Sequence, residues 1–132
     1  MQLMPRLPPG AAAPERLVVA GFSQGGAIAL RSGLLRPQPL GGIIALSTWL
    51  PLAQEYKLEG VATPPVLMCH GTKDPVVQPR FGSASVDKLK ALGVEVDFKT
   101  YPMVHSACDE ELADVVRWLA KRLPQDCAAT KL

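Results

Sequence analysis

The sequence has few cysteines, little net charge and no long apolar run, and each shortage excludes a class of protein. Its three cysteines, Cys69, Cys108 and Cys127, are an odd number without CxxC spacing, which argues against a disulfide scaffold or a zinc site and favours a reducing compartment. Fourteen basic residues against twelve acidic ones give a formal charge of +2, whereas a nucleic-acid-binding protein needs a concentrated basic face. No apolar run approaches the roughly 18 residues of a membrane-spanning helix. We therefore expect a cytoplasmic protein that binds no nucleic acid and makes at most transient contact with a membrane surface.

The 132 residues are 48% hydrophobic, which suits one folded domain or part of one. Residues 1–14 are rich in proline, glycine and alanine and show no periodicity, so they are predicted to be an unstructured leader. The domain is expected over residues 15–124, and residues 125–132 are expected to form a flexible tail. The last three residues, Thr130-Lys131-Leu132, are one substitution from a peroxisomal Ser-Lys-Leu signal, and the sequence leaves that possibility open.

Short apolar segments alternate with segments of helical periodicity. Residues 17–22 are continuously apolar, and residues 42–47 and 65–71 are apolar apart from Ser47 and His70, which is typical of strands buried on both faces of a parallel sheet. Residues 94–101 alternate between apolar and polar, as at a sheet edge. Helices are predicted over residues 27–35, 80–92 and 109–123, and the last two should bury these side chains: Val86, Leu89 and Leu92, then Leu112, Val115, Val116 and Leu119. The pattern predicts an α/β fold with a mainly parallel sheet of about four strands flanked by helices.

The motif G-x-S-x-G occurs as Gly21-Phe22-Ser23-Gln24-Gly25, between a predicted strand and a predicted helix. A serine at such a tight turn projects above the sheet, and glycines on either side let neighbouring backbone pack closely. The N–H of Gln24 begins the helix, where backbone donors have no helical partner, so it is a candidate oxyanion donor. A chance match is the alternative, although the strand before and the helix after make it rarer.

A serine nucleophile needs a histidine base, and the chain has only His70 and His105. In α/β-hydrolases the order along the chain is serine, acid, histidine, which Ser23, Asp74 and His105 satisfy. Asp74 follows the third predicted strand and His105 the fourth, so both should reach the sheet edge that carries Ser23. His70 precedes the acid and is assigned a structural role. Asp109 is a competing acid, although its position suits the first turn of the last helix.

Four segments together resemble the acyl-protein thioesterase family of α/β-hydrolases. They are Gly21-Phe22-Ser23-Gln24-Gly25-Gly26-Ala27, Leu46-Ser47-Thr48-Trp49-Leu50-Pro51-Leu52, His70-Gly71-Thr72-Lys73-Asp74-Pro75-Val76-Val77, and His105-Ser106 followed by Glu110-Glu111. The resemblance implies Ser23 as nucleophile, His105 as general base and acid, Asp74 as the residue that orients it, Gln24 in the oxyanion hole, and Trp49 and Leu50 beside the acyl chain.

The activity implied by the resemblance is hydrolysis of palmitoyl-cysteine thioesters, and of related carboxylic or lysophospholipid esters, through an acyl-enzyme. Its substrates would be S-acylated proteins or small acyl esters, and it would need no metal and no cofactor.

The resemblance covers residues 16–124 and corresponds to the C-terminal part of the family's fold. Family members have further N-terminal strands and a His-Gly loop that gives a second oxyanion donor, and residues 1–14 contain nothing similar. The expected fold is therefore a partial α/β-hydrolase with the N-terminal strands missing. The turn Tyr101-Pro102-Met103-Val104-His105 also lacks the family's usual glycine, which predicts a different approach of His105. The alternative function is a catalytically inactive half-domain that acts, if at all, as a binding or interaction protein.

Overall fold

A computed structural model describes residues 13–123, which form an α/β fold. In chain order, the strands and helices are β1 (Val18–Phe22), α1 (Gln24–Leu34), β2 (Gly42–Leu46), β3 (Val66–Gly71), α2 (Pro79–Ala91), β4 (Val96–Tyr101) and α3 (Asp109–Arg122), with one-turn 3-10 helices at Pro14–Arg16 and Ala53–Glu55. None of the helices in this part of the chain combines the length and apolar character needed to cross a bilayer.

The predicted leader and tail fall almost entirely beyond the described residues. Of the leader, only Ala13 and Pro14 are included, and Pro14 begins the first 3-10 helix. The tail, with its Thr130-Lys131-Leu132 terminus, lies wholly outside. The domain boundaries therefore stay predictions.

The four strands form one parallel sheet in the order β1-β2-β3-β4. Val18 pairs with Gly42, Ile43 with Val66, and Val66 in turn with Val96. The central strands β2 and β3 are buried along almost their whole length, whereas the edge strand β4 is buried mainly at its two ends. The other edge strand, β1, is only partly buried, so the expectation that it is covered on both faces is wrong. The predicted α/β class, the four parallel strands and the edge position of β4 are all confirmed.

The helices cover the sheet in two layers, because alternate residues of each strand face opposite sides. On one face, Leu30 and Leu34 of α1 and Leu89 of α2 share a core with Ile43 and Met68. On the other face, residues of β2, β3 and β4 share a second core with Trp118 of α3; they include Ile44, Leu67, Cys69 and Tyr101. The site-bearing loops are therefore attached to a sheet that is packed on both sides.

The buried face of α3 differs from the one that the sequence predicts. Leu112 and Val116 are 51% and 65% exposed, so the prediction that they point inward is wrong. Val115 and Leu119 do pack against the core, but Trp118 and Glu111 are the buried residues of this helix. Because the buried face of α3 includes a glutamate, the spacing of apolar residues alone does not identify it. For α2 the predicted stripe is confirmed, with Val86 and Leu89 buried and Leu92 packed against the core.

Glu111 is an acidic side chain without exposed surface, in the first turn of α3. Among residues 13–123, neither of its carboxylate oxygens has a hydrogen-bond partner. Burial raises the pKa of Glu111 above its ordinary range, because an unpaired charge is costly to remove from water. Its contribution to stability is therefore present below the unfolded pKa, about 4.3, and is lost as the pH rises toward the folded value.

Glu111→Gln should stabilise the protein at pH 7 by about 1–2 kcal/mol, because the amide keeps the shape and removes the ionisable group. The advantage of the variant should shrink as the pH is lowered to about 4. Urea unfolding at a series of pH values measures this difference, with Glu110→Gln, an exposed neighbour, as the control for loss of one charge. If the difference in free energy of unfolding between Glu111→Gln and the wild type did not vary with pH, the raised pKa of Glu111 would be contradicted.

Candidate active site

Ser23 lies in the turn between β1 and α1 with a backbone that non-glycine residues rarely adopt. Its φ is 56° and its ψ is −122°, a conformation that costs about 1–3 kcal/mol and persists only where its surroundings fix it. Here the Ser23 N–H donates to the Leu46 carbonyl at 2.8 Å. The Thr48 hydroxyl donates to the Ser23 carbonyl at 2.6 Å. The turn is thereby tied to the end of β2, and this arrangement is the strand-to-helix elbow that the motif predicts.

The glycines of the motif are not equivalent. A Cβ on Gly21 would lie 2.2 Å from the carbonyl carbon of Gly25, so this position has no room for a side chain. A Cβ on Gly26 would lie 2.8 Å from the Thr48 methyl group. At Gly25 a Cβ would meet nothing within 4 Å among the described residues. The expectation of close packing is confirmed for Gly21 but is wrong for Gly25, and Gly26 is the second constrained position.

Asp74 follows β3 and divides its two carboxylate oxygens between two tasks. Oδ1 accepts hydrogen bonds from the backbone N–H groups of Val76 and Val77, both at 2.9 Å. Oδ2 lies 2.7 Å from Nδ1 of His105 and accepts its proton in a hydrogen bond. Burial alone would raise the pKa of Asp74, but the bonds from His105, Val77 and Val76 outweigh it and hold the pKa below its ordinary range. The carboxylate is therefore ionised at neutral pH.

His105 completes the connection from the acid to the serine. Its Nε2 lies 3.1 Å from the Ser23 hydroxyl, which donates to it, while Nδ1 bonds Asp74. The ring also packs against Phe22, with 4.7 Å between ring centroids. The loop lacks the usual glycine, yet it turns through backbone bonds from Met103 N to Tyr101 O and from Ser106 N to Val104 O, and it delivers the imidazole to the serine. The structure therefore brings Ser23, Asp74 and His105 into one hydrogen-bonded chain.

Gln24 is the first residue of α1 and follows Ser23 directly. The first N–H groups of a helix lack intrahelical partners and carry a partial positive charge. The Gln24 N–H is thus a backbone donor beside the serine, and its role as an oxyanion donor stays a prediction. Asp109, the competing acid, is the first residue of α3, as the helix-start alternative predicts.

Two apolar depressions meet at Trp49. The first, here called the Ser23 cavity, has a volume of about 430 Å³ and is lined by Ser23, Trp49, Val76, Val77 and Phe81. The second, the α1 groove, has a volume of about 420 Å³ and is lined mainly by α1, with Trp49 and Pro51 on its other side. Leu50 lines neither: it is 5% exposed and packs in the core beside α1 and α2. The structure places Trp49 at the site but does not bring Leu50 there.

Sequence reasoning gave no site role to Thr48 or His70. Thr48 is fully buried and holds the Ser23 carbonyl, and its only signal in the sequence is its place just after a predicted strand. His70 is the last residue but one of β3, and its Nε2 lies 2.7 Å from the Val77 carbonyl oxygen. Cys69 is buried beside this strand end, and burial above all raises the pKa of its thiol to about 12. No three His, Cys, Asp or Glu side chains within residues 13–123 are grouped to hold a metal ion, and the expectation that no cofactor is needed stays a prediction.

Comparison with known proteins identifies the family. A family model described as Phospholipase/Carboxylesterase matches residues 8–123. The chain belongs to this family. It is 49% identical over 120 residues to acyl-protein thioesterase 1 of Mycosarcoma maydis, covering 83% of this chain and 49% of that protein. It is 46% identical over 117 residues to acyl-protein thioesterase 1 of Gibberella zeae, covering 84% and 50%. The chain thus spans about half the length of the curated relatives it matches.

Solved structures show the same fold. Arabidopsis thaliana SOBER1 superposes with a TM-score of 0.77 at 38% identity, over 85% of this chain and 55% of that one. Zea mays acyl-protein thioesterase 2 gives a TM-score of 0.72 at 37% identity, over 82% and 56%. The resemblance to acyl-protein thioesterases is confirmed. That this chain corresponds to the C-terminal part alone, with N-terminal strands missing, stays a prediction.

Gly21→Ala should prevent the elbow from closing, because its Cβ would overlap the Gly25 backbone. We expect a large fall in melting temperature or failure to fold. Gly25→Ala is the matched control two residues beyond Ser23. It lies in open space within α1 and should change stability by less than about 1 kcal/mol, in the favourable direction because alanine suits a helix better. Thermal unfolding followed by circular dichroism compares them, and equal destabilisation by both would refute this view of the turn.

Proposed function

We propose that this protein is a serine hydrolase that cleaves acyl thioesters and related esters, with Ser23 as nucleophile, His105 as general base and acid, and Asp74 as the residue that orients His105. One observation carries the proposal: hydrogen bonds of 3.1 and 2.7 Å join the Ser23 hydroxyl, the His105 ring and the buried Asp74 carboxylate in sequence. The elbow conformation of Ser23 and the family membership support it.

In the acylation step the Ser23 oxygen attacks the substrate carbonyl carbon while His105 Nε2 takes the hydroxyl proton. The carbonyl oxygen becomes an anion, which the Gln24 N–H stabilises; one such donor is worth roughly 3–4 kcal/mol. His105 then returns the proton to the leaving sulfur or oxygen, and the C–S or C–O bond breaks. The acyl group remains on Ser23 as an ester, and the thiol or alcohol departs.

In the deacylation step a water molecule takes the place of the leaving group. His105 removes a proton from the water as it attacks the Ser23 ester, and then protonates the serine oxygen as the ester bond breaks. Asp74, ionised at neutral pH, stabilises the imidazolium that forms in each half of the reaction. Residues 13–123 thus hold the groups that move protons in both steps.

The substrate class follows from the cavity and the relatives. Four of the five residues that line the Ser23 cavity are apolar, which suits a fatty acyl chain better than a polar group. The relatives from Mycosarcoma maydis and Gibberella zeae are named acyl-protein thioesterases, which favours S-acylated proteins, palmitoylated ones included, with small acyl esters as simpler substrates. A cytoplasmic location and transient contact with membrane surfaces remain part of this proposal.

A fluorophosphonate probe should label the folded protein on Ser23, because an activated serine attacks phosphorus as it attacks a carbonyl. Ser23→Ala should abolish the labelling, and Ser83→Ala, an exposed serine of α2, should leave it unchanged. Intact-mass analysis with peptide mapping gives the extent and position of the adduct. A folded wild-type protein that takes up no probe would eliminate the hydrolase and favour the alternative, an inactive half-domain that acts by binding.

The position of the acyl chain can be tested with two residues of matched exposure. Phe81 lines the Ser23 cavity and is 48% exposed, and Leu35 lines the α1 groove and is 47% exposed. Phe81→Ala should reduce the gain in kcat/KM from acetyl to octanoyl p-nitrophenyl esters, because each methylene buried is worth about 0.8 kcal/mol. Leu35→Ala should leave that gain intact. If Leu35→Ala reduced the gain and Phe81→Ala did not, the acyl chain would bind in the α1 groove instead.

A further inference from the structure

His70 is a buried polar residue that the reaction itself does not use. It is 1% exposed near the end of β3, and its Nε2 lies 2.7 Å from the Val77 carbonyl oxygen. A carbonyl can only accept, so Nε2 must carry the proton and donate it. On the other side of the ring, Nδ1 has no hydrogen-bond partner among residues 13–123. Gly82 of α2 lies against it so closely that a Cβ there would come within 2.5 Å of Nδ1.

Val77 joins His70 to Asp74. Its N–H donates to Oδ1 of Asp74 at 2.9 Å, and its carbonyl accepts from His70. His70 Nε2 lies 3.6 Å from Oδ2 of Asp74, which is beyond a hydrogen bond. The imidazole therefore acts on the turn that carries the carboxylate rather than on the carboxylate itself. Since His70 belongs to the central strand β3, this contact fixes the turn relative to the sheet.

The contact between His70 and Val77 affects Ser23 through Asp74 and His105. Its Oδ1 is committed to the turn, so the direction in which Oδ2 points depends on where the turn sits. A turn that rotates away from the strand carries Oδ2 away from His105, and the His105 ring loses the partner that fixes its orientation. Misplacement of about 1 Å in such a chain can cost on the order of 10²-fold in rate.

We infer that His70 is a positioning residue for the proposed reaction: by holding the Val77 carbonyl, it sets the orientation at which Asp74 meets His105. The inference rests on the proposed function of Ser23, Asp74 and His105, and it assigns His70 no contact with substrate. The positioning depends on Nε2 of His70, which donates the hydrogen bond to the Val77 carbonyl.

Two substitutions separate this role from simple filling of space. In His70→Gln the side-chain amide nitrogen takes a position near Nε2 and can still donate to Val77. In His70→Asn the amide is one carbon shorter and reaches only the position of Nδ1. His70→Asn should slow fluorophosphonate labelling of Ser23 by about one to two orders of magnitude, and His70→Gln should restore most of that rate. Ser83→Ala again serves as the unaffected control.

A second readout does not depend on reactivity. The proton between His105 Nδ1 and Asp74 should give a low-field signal in the proton NMR spectrum of the wild-type protein, and its assignment follows from its absence in His105→Ala. The signal should shift or disappear in His70→Asn and persist in His70→Gln. A purely structural His70 would lower the unfolding midpoint in both variants and leave the signal in place while the protein is folded.

The outcomes are distinguishable. Wild-type rates and an intact signal in His70→Asn overturn the inference, as does loss of the signal in folded His70→Gln or its absence from the wild type. If His70→Asn does not fold, nitrogen NMR of the wild-type His70 ring decides, because a proton on Nδ1 instead of Nε2 contradicts the assignment. If the wild type is not labelled at all, the proposed hydrolase fails, and the NMR comparison alone judges the positioning role.

Discussion

The site depends on one buried carboxylate whose two oxygens serve different partners. Asp74 uses Oδ1 to close its own turn and Oδ2 to hold His105. Without the turn bonds the carboxylate would have no fixed direction, and without His105 a buried charge would lack its strongest partner. The low pKa of Asp74 reflects both sets of bonds acting against burial. Chain segments that are far apart in sequence thus become a single chemical unit at this residue.

The sheet makes that unit possible because all four strands run in the same direction. Their carboxyl ends lie at one edge, so the loops that follow β1, β3 and β4 converge there. Thr48, after β2, completes the row by holding the Ser23 carbonyl. Each strand of the sheet therefore contributes one part of the site, and the strained backbone of Ser23 is stabilised by the strand next to it.

The sequence predicted the fold class, the strands and the convergence of Ser23, Asp74 and His105, because apolar runs, the serine motif and chain order are local signals. It did not predict contacts that arise only when segments meet. Leu50 and Trp49 are both apolar, and nothing in their order shows which one faces the core. The sequence does not distinguish Gly25 from Gly26, because only the folded position of Thr48 leaves no room for a side chain at Gly26. On α3, burial of Glu111 displaced the buried face from the leucine and valine spacing.

The position of β4 at the edge of the sheet has a further consequence. Within residues 13–123, β1 and β4 are the two edge strands and each pairs with a single neighbour, so Ser23 and His105 follow opposite edges of the sheet while Asp74 follows the central strand β3. Strands at an edge detach at a lower free-energy cost than those at the centre, so transient fraying of β4 would withdraw the His105 imidazole, and fraying of β1 the Ser23 hydroxyl, while β2 and β3 stay paired. Loss of Ser23 reactivity in mild heat or denaturant would then precede global unfolding, and that reactivity would report whether the edge strands are docked.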